Sequence, residues 1–541
     1  MKKISKIIAL LSALTLIAAS FAGCGDKKDE TVATTDGKSF TYWTVMDSTS
    51  SKTLESYEDM MYYQELEKRT GVHIDFTHPI QGSTGQEAFI AMLSGSEIPD
   101  MIEYNWSAYT GGPQQALDDE VIIALNDYIE EYAPNYYDYM EGEKGKAEDY
   151  RYKLEATTDD GRYYGFNVLS IGETKGFMGI YTRRDLLEKW GMEVPETIDE
   201  WTAVFAKAKA EGFSRPFTST VHAFSFTSAN SHTFNTAYDV GKNFYLKGDK
   251  VVFAPFEPGY KEYVAQLAEW SKLGYIDSNF ITNDSAKIEG NMTNGTSMTT
   301  HGYTGGGIGK ILPAAQAVDP TYDLVACPYP VAQKGQIAEF QEVDSAAKPT
   351  AIGISTTCGN YEKAIEWCDY VYSDEGVVLQ LFGIEGDTFT VEEIDGEKHY
   401  AYTEKITDLE ANGFNSVGEA LYHYMLPCNH PGYNQHTDYL NGYYQIDSQK
   451  EALKTWNISA EKAMKHKLPS LGFTVDESRE ITDITEVALA ELEAGLCDII
   501  VGKKSIDEYD SIIKQAKENG YDRYLEINQI AYDRYLSKKN K

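Results

Sequence analysis

The segment Phe40 to Tyr104 opens with FTYWTVM (40–46), continues through VHIDF (72–76) and ends with DMIEY (100–104). FTYWTVM is rich in aromatic and β-branched residues, as a buried strand requires. In VHIDF, Val72, Ile74 and Phe76 alternate with His73 and Asp75, the period of a strand. Between the first two lies 54–69, a mixed polar and apolar run closed by Lys68, Arg69 and Gly71, which reads as a helix with its stop signal. Between the second and third, 86–93 reads as a short helix broken by Ser94, Gly95 and Pro99. A β-α-β-α-β order predicts a parallel sheet wrapped by helices, with ligands at the carboxyl ends of its strands. Asp47, Ser48, Asn105 and Trp106 fall at those ends.

The same alternation continues from Gly176. A strand over 179–181 precedes a helix over 184–190, which Gly191 stops. Thr197 and Glu200 have capping-box spacing ahead of a helix from Trp201 to Ala210. Helices are expected at 261–273, 361–372, 449–465, 485–495, 507–519 and 526–537, a strand at 351–355, and a Gly-, Thr- and Asn-rich loop over 291–309. No internal repeat is visible. The expected division is 39–175 as the first part of one lobe and 176–345 as the first part of a second. Residues 346–390 return to the first lobe, and 391–541 form mainly the second lobe and C-terminal helices.

Upstream of Phe40, Lys2, Lys3 and Lys6 precede an apolar run over 7–19, too short to span a bilayer as a mature helix. This is a secretion signal, 1–23. Phe21-Ala22-Gly23-Cys24 resembles the lipobox of bacterial lipoproteins, in which the Cys is acylated and becomes the new N-terminus. Phe21 stands where that pattern usually has an aliphatic residue. Residues 24–38 read as a flexible tether, about 45 Å when fully stretched. The expected location is the extracytoplasmic face of the cell membrane, held by lipid.

With 48 Lys and Arg against 84 Asp and Glu, the net charge is −36. Nucleic-acid binding needs clustered cations to displace counterions, so DNA and RNA are poor partners. The 40 tyrosines supply flat apolar faces with polar edges, suited to core packing and to stacking on sugar rings. Apart from Cys24, five cysteines remain, with no C-x-x-C and no zinc spacing, so buried free thiols are expected; Cys358 and Cys368 could pair only if the fold brings them together. The run Gly305-Gly306-Gly307-Ile308-Gly309-Lys310 fails as a P-loop, because Thr304 and Ile311 stand where Gly and Ser or Thr are needed. H-E-x-x-H and G-x-S-x-G are absent. The acid pairs Asp159/Asp160 and Glu392/Glu393 are the kind chance produces among 84 acids. No catalytic residue, cofactor or metal site is expected.

Several phrases carry a resemblance. MLSGSEIPDMIEY (92–104), ALNDYIEEYAPNY (124–136), GRYYGFNV (161–168), IYTRRDLLEKWGMEVPETIDEW (180–201), GISTTCGNYEKAIEWCDYVYSDEG (353–376), FGIEGDTF (382–389) and AYDRYL (531–536) occur in the order found in family 1 extracellular solute-binding proteins of the LplA-like lipoprotein branch. The resemblance covers nearly the whole mature chain. It implies a type II periplasmic-binding-protein-like fold: two α/β lobes joined by a hinge, with a ligand cleft between them. It also implies capture of a sugar or oligosaccharide, and delivery to the permease of an ABC importer by a monomeric binder. Some relatives carry a calcium loop after the Trp201 helix; 208–220 lacks its D-x-N-x-N-G spacing, so no calcium is expected there.

In such a fold, a polar ligand is gripped by hydrogen bonds and aromatic faces from both lobes. Trp43, Asp47, Asn105 and Trp106 are the candidates on the first, with Trp106 as the stacking platform; core packing for Trp43 and turn roles for the polar pair are their plain alternatives. On the second, Arg183 could fork to a diol or acid, or pair with a surface acid. His222 and Phe224 lie in a Ser-, Thr- and Phe-rich loop, and His301 and Tyr303 in the Gly-rich loop, a candidate closing lip. Glu385 is a candidate for hydroxyl bonding or hinge support. A surface-anchored carbohydrate-active hydrolase and a peptide- or cell-envelope-binding lipoprotein are the competing readings.

Overall fold

The computed structural model describes residues 38–80, 83–228, 232–394 and 396–539. The leader, Cys24 and the tether up to residue 37 lie outside them.

Strands β1 (Ser39–Thr44), β2 (His73–Thr77), β3 (Met101–Asn105) and β4 (Phe166–Leu169) join β11 (Ala347–Ile354) in a sheet of order β2-β1-β3-β11-β4. β1 runs parallel to β2 and β3; β11 is antiparallel to β3 and β4. Helices cover both faces, which is why β1 buries adjacent aromatics: Tyr42 packs into one core, Trp43 into the other. The expected helix over 54–69 begins later, at Met61. Ser56 caps a single 3₁₀ turn, Tyr57–Asp59, and Met60 is extended before the helix Met61–Thr70. Gly71, at φ 69°, ends that helix in a left-handed conformation open to glycine.

The second sheet has order β10-β5-β9-β6, from β5 (Met178–Arg183), β6 (Phe217–Thr218), β9 (Thr299–Tyr303) and β10 (Leu324–Ala326). Its two faces bury Ile180 with Phe217, and Tyr181 with Trp456. The Thr197–Glu200 box forms as read: Glu200 N–H donates to Thr197 Oγ1 at 3.3 Å, and Thr197 N–H to Glu200 Oε2 at 3.1 Å. The loop expected over 291–309 is instead the end of helix Ser285–Thr293, then β9 as an inner strand, then a tight turn over Thr304–Ile308. Gly307 is a packing position: an added Cβ would lie 2.5 Å from the Tyr181 hydroxyl. Two hairpins, β7 (Phe244–Lys247) with β8 (Lys250–Phe253) and β12 (Phe389–Ile394) with β13 (Glu397–Tyr402), complete the strands.

The chain passes between the sheets three times: after β4, before β11, and between Tyr443 and helix Asp447–Trp456. The crossings contact one another. Ser170 N–H donates to Ala346 O at 2.8 Å and Asp344 N–H to Lys175 O at 2.7 Å, tying the first two, and Phe177 of the first stacks on Tyr444 of the third; Gln435, ahead of the third, donates to Ile171 O at 2.8 Å. The third passage changes the expected division. Residues 391–443 do not join the second lobe: Tyr402 and Leu421 pack with Phe382, Ser50 Oγ donates to Tyr422 O, and His423 bonds Thr53, all on the first-lobe side. From Asp447 onward the chain joins the second lobe, where the 26-residue helix Val475–Ile500 packs into its core. The five cysteines are free thiols; Cys327, Cys358, Cys368 and Cys497 are buried, Cys428 half-buried.

Candidate functional site

Both sheets end at the crossings. The carboxyl ends of β1 and β3 approach from one side, and that of β9 from the other. Asp47 follows β1; its Oδ1 accepts Thr49 N–H at 2.7 Å. Asn105 ends β3, exposed, with Oδ1 accepting Ser107 N–H at 3.0 Å. Opposite them Tyr303 ends β9 with its ring 53 % exposed, while its hydroxyl is pushed up to about 12 by burial and then by Glu342 and Asp344. His301 lies two residues back on the same face, buried. His222 is exposed in the turn after β6.

The other five expected residues go elsewhere. Trp43 packs against Phe89 and Tyr104. Trp106 is fully buried, its Nε1–H donating to Ala351 O at 3.0 Å, so it is a core residue and not a stacking platform. Phe224 is buried edge-on against Phe280. Arg183 ends β5 at the end remote from the crossings, forks onto Asp185 at 2.7 and 2.5 Å, and lies 3.8 Å over the Tyr322 ring. Glu385 is exposed in the turn leading to β12, outside all three crossings, so it does not support the hinge. His301 and Tyr303 belong to a strand, so they form no mobile lip.

Residues unforeseen from the sequence fill their place. Segment Phe340–Ser345 of the second crossing walls a cavity of about 210 Å³ together with His232, Lys242, Tyr245, His466 and Lys467. Phe340 stacks on His232 with planes 10° apart, and Tyr245 meets it edge-on at 5.2 Å. Among the described residues, buried polar atoms near this crossing without a hydrogen-bond partner include Ser170 Oγ, His232 Nδ1, the Tyr245 hydroxyl, His301 Nε2, Gln341 Oε1 and Glu342 Oε2. Such atoms cost stability unless something bonds them. Glu342 is pushed up to about 8 by burial and then by Asp344, so at neutral pH it holds a proton it can donate. A second aromatic group, Phe177, Tyr443 and Tyr444, joins the first crossing to the third; Phe177 and Tyr444 stack at 6.5 Å. The only signal for it was the tyrosine density over 433–444.

The acid pairs are engaged. Asp159 bonds Arg534 at 2.9 Å and Asp160 bonds Arg162 at 2.8 Å, while Glu392 and Glu393 lie on the β12–β13 hairpin. At 208–220, Lys209 Nζ donates to the carbonyls of Ser214 and Gly274 at 2.8 and 3.2 Å. Among the described residues no group of three or more His, Cys, Asp or Glu is placed to hold a metal.

Two α/β lobes, three contacting crossings and polar groups converging between them define a two-lobe solute-binding architecture of type II. Residues 50–378 match the bacterial extracellular solute-binding protein family, and the chain belongs to that family. It is 24 % identical over 511 residues to the fructooligosaccharide ABC transporter substrate-binding protein FusA of Streptococcus pneumoniae serotype 4, covering 89 % of this chain and 88 % of FusA. In fold it resembles FusA in complex with kestose, with TM-score 0.70 and 20 % identity over 93 % of this chain and 100 % of that one. It also resembles a human-milk-oligosaccharide-binding solute-binding protein of Bifidobacterium longum infantis, with TM-score 0.73 and 17 % identity over 92 % and 99 %. The family is one of extracytoplasmic ABC transporter binding proteins, not enzymes. No helix among the described residues is long and apolar enough to cross a membrane.

Proposed function

We propose that this protein captures an oligosaccharide between its lobes and delivers it to the permease of an ABC importer, working as a monomer tethered through an acylated Cys24. The observation that carries the reading is the set of unpartnered buried polar atoms at the crossings, flanked by Tyr303 and Phe340. A polyhydroxyl ligand brings donors and acceptors to such atoms and ring faces to the aromatics. Asp47, Asn105 and His222 are the rim candidates. The fructooligosaccharide named for FusA and the milk oligosaccharides named for the Bifidobacterium protein support a glycan as ligand.

The test is calorimetric titration of the mature chain with oligosaccharides, and chromatography of the recovered sugar. Saturable one-to-one binding with sugar returned intact is expected. Sugar breakdown, or no binding by any glycan, overturns the reading. For the anchor, Cys24→Ala should abolish labelling by a palmitate analogue and release the protein from the cell; retention without label would refute it.

A further inference from the structure

In a chain of net charge −36, the cavity beside the second crossing is lined by Lys242, Lys467, His232 and His466 and by no Asp or Glu. Lys242 is 1 % exposed. Its Nζ donates to the carbonyls of His222 and Ala223, both at 2.8 Å. Burial pushes its pKa well down, and among the described residues no carboxylate offsets that. Burying a cation without a counter-ion is costly, and an anion brought beside it recovers that cost. His232 and His301 are pushed down to about 3 by burial and by the neighbouring Lys242 charge, so both imidazoles are neutral. His232 Nδ1 and His301 Nε2 are the ring nitrogens left without a partner.

The other two basic groups are partly engaged. His466 Nδ1–H donates to Leu246 O at 2.8 Å, and its Nε2 lies 3.6 Å from Glu339. Lys467 Nζ donates to Val343 O, within the field of Glu155, Asp344 and Glu342. Lys242 is therefore the lining lysine with no carboxylate beside it among the described residues.

We propose that this cavity receives an oxyanion borne on a sugar ring, the carboxylate of a uronic acid, so that the captured oligosaccharide is an acidic one. The proposal rests on the oligosaccharide reading above. The carboxylate sits beside Lys242, while Phe340 and Tyr245 border the ring. The surrounding acidic surface repels an anion at long range, so recognition depends on contact inside the cavity and survives added salt.

The test uses the mature chain and two matched pairs: trigalacturonic acid against galactotriose, and a glucuronate-bearing xylo-oligosaccharide against its unsubstituted parent. In at least one pair, calorimetry should show the acidic member binding tenfold or more tighter, at both 50 and 300 mM salt. Lys242→Met should erase that preference. Because Lys242 also ties the turn at His222, Lys467→Met, which gives up one backbone bond, is the second variant and should reduce the preference. Circular dichroism melts report whether each variant is folded. Binding of a neutral member as tight as its acidic partner in both pairs overturns the proposal and leaves oligosaccharide capture standing. Binding of no glycan, acidic or neutral, overturns both.

Discussion

Glu103 and His430 form the best-shielded ion pair among the described residues. Glu103 Oε1 lies 3.0 Å from His430 Nδ1, while Oε2 accepts from the Tyr42 hydroxyl at 2.7 Å and Thr44 Oγ1 at 3.2 Å. Burial alone raises the carboxyl and lowers the imidazole; the attraction and hydrogen bonds between them outweigh it, leaving Glu103 below and His430 above their usual values. The raised His430 contributes stability that is present below the ordinary histidine value, about 6.5, and is lost as pH rises through its folded value. The lowered Glu103 contributes above the ordinary carboxylate value, about 4.3, and that is lost as pH falls through its folded value. The pair is thus most stabilising between about pH 4.3 and 6.5. Urea titrations should show wild-type stability declining above that window, with the decline weakened in His430→Leu. That variant, which strands the carboxylate, should itself cost about 3–5 kcal/mol near pH 6. Tyr303 tests the opposite kind of residue. More than half exposed, it should tolerate Tyr303→Ala within about 0.5 kcal/mol of stability. Glycan affinity by calorimetry should fall about tenfold if its ring stacks on the ligand. At this scale the sequence misled at Trp43 and Trp106. A strand covered on both faces buries side chains on either face, so an aromatic at its end looks the same in sequence whether it faces ligand or core.

Among the elements, helix Asp447–Trp456 carries the third crossing into the second lobe. Trp456 is fully buried, and its Nε1–H donates to Cys327 O at 3.0 Å. Gly179 of β5 lies beneath it, where an added Cβ would meet the indole at 2.3 Å. Trp456→Ala should cost about 3–5 kcal/mol in chemical denaturation through the cavity it leaves. Loss of the Thr197 cap in Thr197→Ala should cost only about 1 kcal/mol. The capping box and the β-α-β-α-β opening were legible because both depend on local spacing. β9 was not: Thr, His, Gly and Tyr have no apolar alternation, and its strand form comes from β5 and β6 on either side. Hairpin β12–β13 was hidden for the same reason, since it rests on Phe382 from a separate helix.

For the whole molecule, the C-terminal helix Asp522–Lys539 bridges the lobes. Arg534 bonds Asp159 of the first lobe and Glu477 of the second, and Lys538 Nζ donates to Leu154 and Thr157 carbonyls. A ligand held between the lobes binds only the folded protein, so a hundredfold excess over Kd should add about 2.7 kcal/mol to stability. A melting series with ligand concentration checks this; a Tm that does not move with saturating glycan would rule out binding to the native state. What the sequence determined by itself was the local and the cumulative: strand and helix order, caps, a charge balance unsuited to nucleic acid, and the ordered phrases that resemble one family. What only the tertiary structure decided was the wall of the candidate site. Phe340, Gln341 and Glu342, His232 and Lys242, and Tyr443 and Tyr444 are separated by up to about two hundred residues, in segments with no regular period. They converge because the first two crossings bond to one another and the third stacks on the first, and the burial that leaves their polar atoms unpartnered exists only once both lobes are in place.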